Sequence, residues 1–438
     1  MDQTEALIIE TIDRHREEIL EFARDIYSHA ELGYKEFQTS GKFVKKMEQL
    51  GLRTEKGFAI TGVKAYLNED KKENASLALL GELDALRIPE HAFANPETNA
   101  AHCCGHHAQM AGVFGAALAL TVPEIAEKLD GQVVFFATPA EEYGEIEFKN
   151  QLREQGKIRY GGGKCELLRI GAFDDIDLCL THHIRPGNEI LVGSGTGNGF
   201  VSKVIRVLGK ASHAAGAPEK GVNALSAASL GLQALGLNRE TFRDEDCVRV
   251  HPIITKGGNL VNVIPDEVVV ETLVRGKTIE AFTDAAKKTD RSFKAGAIAM
   301  GAKVEISTLP GYLPTLAEEA LPELKHAAEI SASGIRVIEA SGHAGGSTDV
   351  GDVQHLMPVY TFNTGGVKGG LHQIDFEVTD EEEAYIVTAK MFALAAYGLL
   401  KEKAQRSREL VDQYEPVFKN SAEYVEFMEQ FDSKEIFE

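Results

Sequence analysis

The chain has 438 residues, of which 43% are hydrophobic and 26% charged, and its formal net charge at pH 7 is −21. This length is too great for one hydrophobic core, so it predicts two domains or one domain with a large insertion. The acidic balance argues against nucleic-acid binding, which requires a basic face.

The sequence also argues against secretion and membrane insertion. The N-terminal segment is acidic and has helical periodicity, unlike a signal peptide. No apolar run approaches the roughly 20 residues needed to cross a membrane. Five cysteines, an odd number in a long chain, are not typical of a disulfide framework. We therefore expect a cytoplasmic protein with no membrane partner.

The first half of the chain has the pattern of an α/β protein. Helical periodicity predicts helices at residues 7–27 and 40–50. Continuous apolar runs predict buried strands at 75–83, 131–139 and 176–183, with an Ala- and Gly-rich helix at 105–120. Strands that alternate with helices indicate a doubly wound mixed sheet with right-handed crossovers.

The element order changes near residue 196. Predicted strands at 200–208, 248–255, 267–275 and 302–309 and helices at 222–235 and 279–300 follow the order β-α-β-β-α-β, that of a ferredoxin-like unit. We expect a smaller α+β domain at 196–312, inserted into a larger domain of residues 1–195 and 313–438. The α/β pattern then resumes with a glycine-rich loop at 342–346, a strand at 358–362 and a helix at 380–400. The charged tail beyond residue 401 predicts a surface helix.

Side chains that bind metals or transfer protons stand at predicted strand ends or in glycine-rich loops. Each alone has an ordinary structural explanation, such as a buried cysteine, an exposed acidic loop or a core histidine. Because an α/β protein builds its site at the carboxyl ends of its strands, their coincidence predicts a shared site. In chain order these residues are Asp84, Cys104, His106, Glu141, Glu142, His182, His183 and His372.

This mixture of side chains predicts metal-assisted hydrolysis. Thiolate, imidazole and carboxylate suit zinc and its neighbours in the transition series. The metal would lower the pKa of a bound water to about 7 and polarise a carbonyl oxygen. Adjacent side chains in a loop point different ways, so one of Glu141 and Glu142 can bind metal. The other would take the water proton and pass it to the leaving nitrogen.

An ordered series of motifs adds a family resemblance that covers most of the chain. The motifs are HAELGYKEFQTS, GELDAL, HCCGHH, ATPAEE, THHIRP, GKASHAAGAPEKGVNAL, GGNLVNVIPD, GGSTDVGD and LHQIDFEVTDEE. Together they resemble the dinuclear metallopeptidases that include aminoacylase and glutamate carboxypeptidase. The amidohydrolase branch, which includes hippurate hydrolase, indoleacetyl-amino-acid hydrolase and aminobenzoyl-glutamate hydrolase, is the most similar.

The resemblance implies a function and a role for each matching residue. The implied reaction is hydrolysis of the amide in a small carboxylate-bearing substrate: an N-acyl or N-aroyl amino acid or a dipeptide-like compound. Glu141 would be the general base, Asp84 would orient a metal ligand and His213 would stabilise the oxyanion. The smaller domain would be a lid and could form a homodimer. Two divalent ions, zinc or manganese with nickel or cobalt as alternatives, would be held by Cys104, His106, Glu142, His183 and His372. The substrate carboxylate would be bound by Asn262, Arg275, Gly346, Ser347 and Thr348.

Three departures from the pattern leave alternatives open. Cys103 and His107 stand where the branch usually has alanine and aspartate, and Gln373 follows His372 where serine is common. A non-catalytic protein that binds a small ligand is one alternative, supported by the altered HCCGHH motif. A redox role for Cys103 and Cys104 is another, although adjacent cysteines form a strained disulfide.

Overall fold

The computed structural model describes residues 1–332 and 334–438, which form two compact units. The larger unit comprises Met1–Gly195, Leu316–Gly342 and Asp352–Ser421. The smaller unit comprises Thr196–Thr315, His343–Gly351 and Ala422–Glu438. The first segment of the smaller unit lies close to the expected insertion at 196–312. Its other two segments come from sequence that we expected in the larger domain.

The helices and strands of both units are numbered in chain order. The helices are α1 (Gln3–Arg14), α2 (Arg16–Ser28), α3 (Phe37–Gln49), α4 (His106–Leu120), α5 (Pro123–Ala126), α6 (Ile146–Glu154), α7 (Gly163–Arg169), α8 (Ala224–Asn238), α9 (Ile279–Met300), α10 (Pro322–Ser331), α11 (Val350–Gln354), α12 (Thr388–Gln413) and α13 (Ser421–Glu429). The strands are β1 (Arg53–Phe58), β2 (Gly62–Leu67), β3 (Ser76–Glu82), β4 (Leu86–Arg87), β5 (Ala100–Ala101), β6 (Gln132–Thr138), β7 (Leu178–Pro186), β8 (Glu189–Val192), β9 (Thr196–Gly197), β10 (Gly199–Leu208), β11 (Arg249–Val250), β12 (Ile253–Lys256), β13 (Glu267–Gly276), β14 (Lys303–Tyr312), β15 (Arg336–Glu339), β16 (His343–Ala344), β17 (Val359–Lys368), β18 (Glu377–Val378) and β19 (Ser433–Phe437).

A mixed sheet forms the centre of the larger unit. Its strand order is β1-β2-β6-β3-β7-β17-β8-β15, with β18 paired to β17. The pairs β6–β3, β3–β7, β7–β17 and β8–β15 are parallel, whereas β1–β2, β2–β6 and β17–β8 are antiparallel. The expected mixed α/β architecture is therefore confirmed. The parallel central strands bring the segments after β3 and β6 to one edge of the sheet.

Small side chains let α4 pack closely inside the larger unit. Every residue of α4 is buried, as is every residue of β3 and β6. A Cβ atom added at Gly112 would lie 2.5 Å from a side-chain carbon of Thr388, and one at Gly115 would lie 2.5 Å from Ala389. The Ala- and Gly-rich sequence therefore allows α4 to approach α12 at a distance that larger side chains would prevent.

The apolar C-terminal helix of the larger unit lies in its core. The helical stretch Glu382–Gln413 is long and apolar enough to cross a membrane, but 94% of its most apolar window is buried inside the protein. Its backbone is non-helical at residues 401–404, so α12 consists of two helices in series. Burial of this kind is typical of a core helix.

An antiparallel sheet forms the centre of the smaller unit. Its order is β11-β13-β10-β14-β19, with β12 paired to β13. Helices α8 and α9 pack on this sheet around a core that includes Ile205, Val270 and Phe293. The tail beyond residue 401 is helical in part, as expected, in the second half of α12 and in Ser421–Glu429. It differs from the expectation at β19, which joins the sheet beside β14.

Candidate metal site and catalytic groups

The predicted metal-binding side chains come from separate elements of the larger unit. Cys104 lies directly before α4, and His106 is the first residue of that helix. His183 lies inside β7, which continues to Pro186, so the prediction that the strand ends at His183 is wrong. His372 lies in the loop after β17 with a φ of +62°. The backbone N–H of His372 donates to the carbonyl oxygen of Cys103 at 3.0 Å, and this bond ties the loop to the Cys104 segment.

The sulfur of Cys104 lies between two groups of donors. Its Sγ is 3.3 Å from Nε2 of His183 and 3.2 Å from Nε2 of His372. Nε2 of His372 is also 3.1 Å from Oε1 of Glu142. Cys104, His106 and His183 each offer a donor atom within 4.8 Å of one another, as do Cys104, Glu142 and His372. The structure therefore gathers the five predicted ligands into one cluster, in which the other four surround the thiol of Cys104.

The hydrogen bonds of this cluster leave its donor atoms available to cations. Nδ1 of His106 donates to the carbonyl oxygen of Asp84 at 2.9 Å, and Nδ1 of His183 donates to that of Ile184 at 2.7 Å. These bonds place the ring proton on Nδ1 and leave Nε2 as a lone-pair donor. Nε2 of His106 and Oε1 of Glu142 are buried, and their polar neighbours are other members of the cluster: Oε2 of Glu82 lies 3.1 Å from the first and Nε2 of His372 lies 3.1 Å from the second. Because buried polar atoms require partners, this set of sulfur, nitrogen and oxygen donors fits divalent metal ions.

Asp84 holds the two glutamates and one histidine in place. Its Oδ1 accepts the backbone N–H of Glu141 at 3.1 Å, and its Oδ2 accepts that of Glu142 at 2.9 Å. Oδ1 is also 3.3 Å from Nδ1 of His106. Burial would raise the pKa of Asp84, but the His106 ring and the Glu142 amide lower it below its usual range. Asp84 is therefore a carboxylate that orients its neighbours.

The adjacent glutamates point to different parts of the cluster. Glu142 faces His372, whereas Oε2 of Glu141 is 4.0 Å from Nε2 of His106. Ala140, the residue directly before the two glutamates, has a φ of +48°. The amide of Ala140 donates to Oε1 of the buried Glu36 at 2.8 Å. The pair is thus fixed from both sides.

Two buried charged residues at this cluster were missed by the sequence analysis. Glu82, the last residue of β3, has its Oε2 3.1 Å from Nε2 of His106. Its Oε1 accepts a hydrogen bond of 2.5 Å from Nζ of Lys164, and both side chains are buried. Alternation along a strand places residues 82 and 84 on the same side, so this spacing could have identified Glu82. No pattern in the sequence around Lys164 indicated that this residue would lie at the cluster.

The unusual residues of the HCCGHH motif belong to the core. Nε2 of His107 is 3.1 Å from the hydroxyl of Tyr385, and its ring centre is 4.6 Å from that of Tyr27. Burial lowers the pKa of His107 to about 3, so this ring is neutral at pH 7. Cys103 packs in the hydrophobic core and forms no disulfide.

His182, the neighbour of His183, is also a core residue. Its Nε2 is 2.8 Å from the hydroxyl of Thr364, and its ring packs against Phe362 with centres 5.0 Å apart. Burial lowers its pKa well below the usual range. Of the two histidines, only His183 faces the metal-binding cluster.

The predicted substrate-binding residues lie in the smaller unit and form two sets of contacts there. Nδ1 of the exposed His213 accepts the backbone N–H of Gly216 at 2.9 Å. The backbone of Asn262 accepts the N–H of Ala214 at 3.0 Å, so Asn262 adjoins His213. Arg275 donates to the hydroxyl of Ser347 at 3.1 Å.

The rest of the predicted glycine-rich loop adjoins Ser347. The carbonyl oxygen of Gly346 accepts the N–H of Asn198 at 2.9 Å. The hydroxyl of Thr348 accepts the N–H of Val350 at 3.3 Å, as at the start of a helical turn. Arg275 is therefore next to the loop that we expected to share its substrate group.

Residues 78–397 match the family model described as peptidase family M20/M25/M40. The chain belongs to this family. Membership confirms the resemblance drawn from the motifs. It also confirms the expected class of protein, a metallopeptidase-type hydrolase of amide bonds.

Several known proteins are similar to this M20 chain over most of its length. The mouse protein named Xaa-Arg dipeptidase is 27% identical over 90% of this chain and 85% of its own. The Arabidopsis thaliana protein named IAA-amino acid hydrolase ILR1-like 2 is 30% identical over 60% of this chain and 56% of its own. Among solved structures, a dinuclear metal-binding peptidase of the M20 family from Bacillus subtilis is 24% identical and has a TM-score of 0.61. That match covers 89% of this chain and 99% of the other, and it shows the shared fold.

Proposed function

We propose that the protein is a metal-dependent amidohydrolase that cleaves N-acyl or N-aroyl amino acids or small dipeptide-like compounds. The observation that carries this proposal is the position of Cys104, whose sulfur lies within 3.3 Å of the Nε2 atoms of His183 and His372. The thiol belongs to two sets of potential metal donors. A donor common to both sets suits a pair of ions, because a thiolate can bridge them.

The donor sets give each ion its own ligands. We assign Cys104, His106 and His183 to one ion, and Cys104, Glu142 and His372 to the other. Zinc or manganese suits this mixture of donors, with nickel or cobalt as alternatives. When bound, such ions lower the pKa of water and polarise the substrate carbonyl.

Glu141 is the proposed general base. It is buried beside His106, and its neighbour Glu142 faces the opposite donor set. Its carboxylate would accept a proton from the attacking water and then deliver it to the leaving nitrogen. Asp84 would hold Glu141 in position through the backbone bond at 3.1 Å.

Residues of the smaller unit are the proposed contacts to the substrate. Nδ1 of His213 accepts backbone amides, so the ring proton lies on Nε2 and can be donated to a developing oxyanion. Arg275 would bind the substrate carboxylate with its guanidinium fork. Asn262, Ser347 and Thr348, with the backbone of Gly346, would add donors to that carboxylate.

We also propose that the smaller unit is a lid through which the protein forms a homodimer. Leu260 and Val261, which precede Asn262, are apolar and 64% and 104% exposed. Apolar side chains exposed together are typical of a binding surface. Five cysteines, an odd number in a long chain, favour a cytoplasmic location.

The test is a hydrolysis screen combined with metal analysis. Protein loaded with zinc, manganese or cobalt is assayed against N-acyl amino acids, N-aroyl amino acids and dipeptides. We expect turnover that a chelator abolishes. In Glu141→Gln, kcat should fall by about 10²–10⁴-fold while the metal content is unchanged. Glu147→Gln, at an exposed position on α6, is the matched control.

Two outcomes would contradict the proposal. A Glu141→Gln protein that hydrolyses amides at the wild-type rate would exclude the assigned base. Tight binding of carboxylate ligands without turnover, across the whole panel and with each metal supplied, would favour the non-catalytic alternative.

A further inference from the structure

The buried carboxylate of Glu82 requires an explanation. Glu82 ends the apolar strand β3 and is only 3% exposed. Moving a carboxylate into the interior costs several kcal/mol unless it is paired and hydrogen-bonded. Lys164 donates to Oε1 at 2.5 Å, and the amide of Gln109 donates to Oε2 at 2.8 Å. Gln109 also accepts the backbone N–H of Glu82 at 2.9 Å, so the carboxylate is held in one orientation.

Glu82 and His106 are in direct contact, and this contact is an ion pair only while the ring carries a proton on both nitrogens. Oε2 of Glu82 lies 3.1 Å from Nε2 of His106. The ring donates through Nδ1 to the carbonyl oxygen of Asp84. Two bare lone pairs at this distance would repel each other, so either a proton or a metal ion must lie between Nε2 and Oε2. Bonds of about 2.0–2.2 Å, usual for nitrogen and oxygen on zinc, would allow both atoms to bind one ion.

Glu82 belongs to a second set of possible metal donors, which shares His106 with the set of Cys104 and His183. The donor atoms of Glu82, His106 and Glu141 lie within 4.8 Å of one another.

We infer that Glu82 is a further metal ligand, which binds through Oε2 the ion held by Cys104, His106 and His183. The inference rests on the proposed function only in taking this ion to be bound. Lys164 pairs with Oε1, and Oε2 accepts one hydrogen bond from Gln109, which leaves its second lone pair for the metal. The added oxygen makes the donor set harder, so it favours zinc or manganese over soft ions such as Cu(I).

The test uses cobalt(II), whose visible spectrum reports its ligands. We would titrate metal-free wild type, Glu82→Gln and Glu82→Asp with cobalt and measure affinity by competition with a chelator. Glu82→Gln should weaken one of two cobalt sites at least tenfold and change its absorption bands. Glu82→Asp retains the negative charge opposite Lys164, but its side chain is one methylene shorter, so its carboxylate lies farther from the metal. It should therefore fold normally and show the same weakened site.

The control is another buried glutamate paired with a cation. Glu166 is 1% exposed and accepts a hydrogen bond of 3.0 Å from Arg169. Among the described residues it belongs to none of the groups that could hold a metal. Glu166→Gln should therefore leave both cobalt affinities and the spectrum unchanged.

Either of two results would overturn the inference. Wild-type affinity and spectrum in both Glu82 variants would make Glu82 a structural partner of Lys164 alone. Loss of cobalt in Glu82→Gln with full retention in Glu82→Asp would show that charge rather than ligation matters. A wild-type protein that binds cobalt as expected but hydrolyses nothing would contradict the proposed function and not this inference.

Discussion

Oδ2 of Asp84 accepts the backbone N–H of Glu142 at 2.9 Å, so a side chain that follows β3 fixes the loop that follows β6. The same carboxylate accepts the N–H of Glu141 through Oδ1 and adjoins the ring of His106. One buried residue therefore sets the direction of the proposed base and of two proposed metal ligands. Its loss would disturb both functions of the cluster together.

Replacing Asp84 with asparagine should lower activity and metal affinity about 10–100-fold, as for other residues that orient metal ligands. The amide presents an N–H₂ group to one of the two backbone N–H groups that Asp84 now accepts. We would measure kcat and the dissociation constant for zinc, with the exposed Asp70→Asn as control. Unchanged values for Asp84→Asn would exclude an orienting role.

Metal binding at Cys104 should release a proton. Burial and the charge of Glu142 raise the pKa of this thiol well above its usual range, so the metal-free protein holds it as S–H at neutral pH. A metal binds the thiolate and must displace that proton. Zinc added to weakly buffered wild-type protein should acidify the solution, and Cys104→Ser should release fewer protons and bind at least tenfold more weakly. Cys103→Ala, at a core position, should behave as wild type, and equal effects of the two substitutions would contradict the assignment.

Stability of the metal-free protein should fall between pH 5 and pH 8 because of Glu36. Burial, with the charge of Asp84, raises its pKa from 4.5 to about 7. The folded state holds this proton more tightly than the unfolded state, so the stabilisation is complete below pH 4.5 and is lost as pH rises through 7. Glu36→Gln removes this dependence, which is on the order of 3 kcal/mol.

Urea denaturation at the two pH values measures this effect. Relative to wild type, Glu36→Gln should become more stable by that amount at the higher pH, and the exposed Glu90→Gln should change little. Parallel pH profiles for Glu36→Gln and wild type would disprove the role of Glu36.

Arg275→Lys should raise KM for carboxylate-bearing substrates about tenfold and change kcat less. Lysine keeps the charge but lacks the planar fork that binds a carboxylate with two parallel bonds. Arg206→Lys, on β10 of the same unit, is the control because its guanidinium pairs with Glu267 at 3.1 Å. An unchanged KM in Arg275→Lys would remove this residue from the proposed carboxylate site.

The sequence predicted those parts of the molecule that local patterns determine. The apolar runs of β3 and β6 and the small residues of α4 are recognisable because they are buried on all sides. The convergence of Cys104 and His372, 268 residues apart, followed from the rule that strand ends meet at one edge of a sheet.

Other parts depend on partners that are distant in sequence. The pairing of Glu82 with Lys164 cannot be deduced from β3 alone, because an acidic residue in an apolar strand normally indicates a strand end. The five-residue β19 carries no clear pattern, and its conformation depends on pairing with β14. The position of His183 within β7 was missed because two adjacent histidines interrupt the apolar run.

The pairing between β14 and β19 also limits which fragments of the protein can be expressed separately. The sheet of the smaller unit has most of its strands within residues 199–312, and residues 433–437 add its last strand. Between them in the chain lie two segments of the larger unit, Leu316–Gly342 and Asp352–Ser421. A fragment expressed as one continuous piece would contain either an incomplete smaller unit or parts of both. Because so much chain must be closed into a loop before this edge forms, we expect the strand to be added late in folding. An excised smaller unit would need its closing strand reattached through an artificial linker.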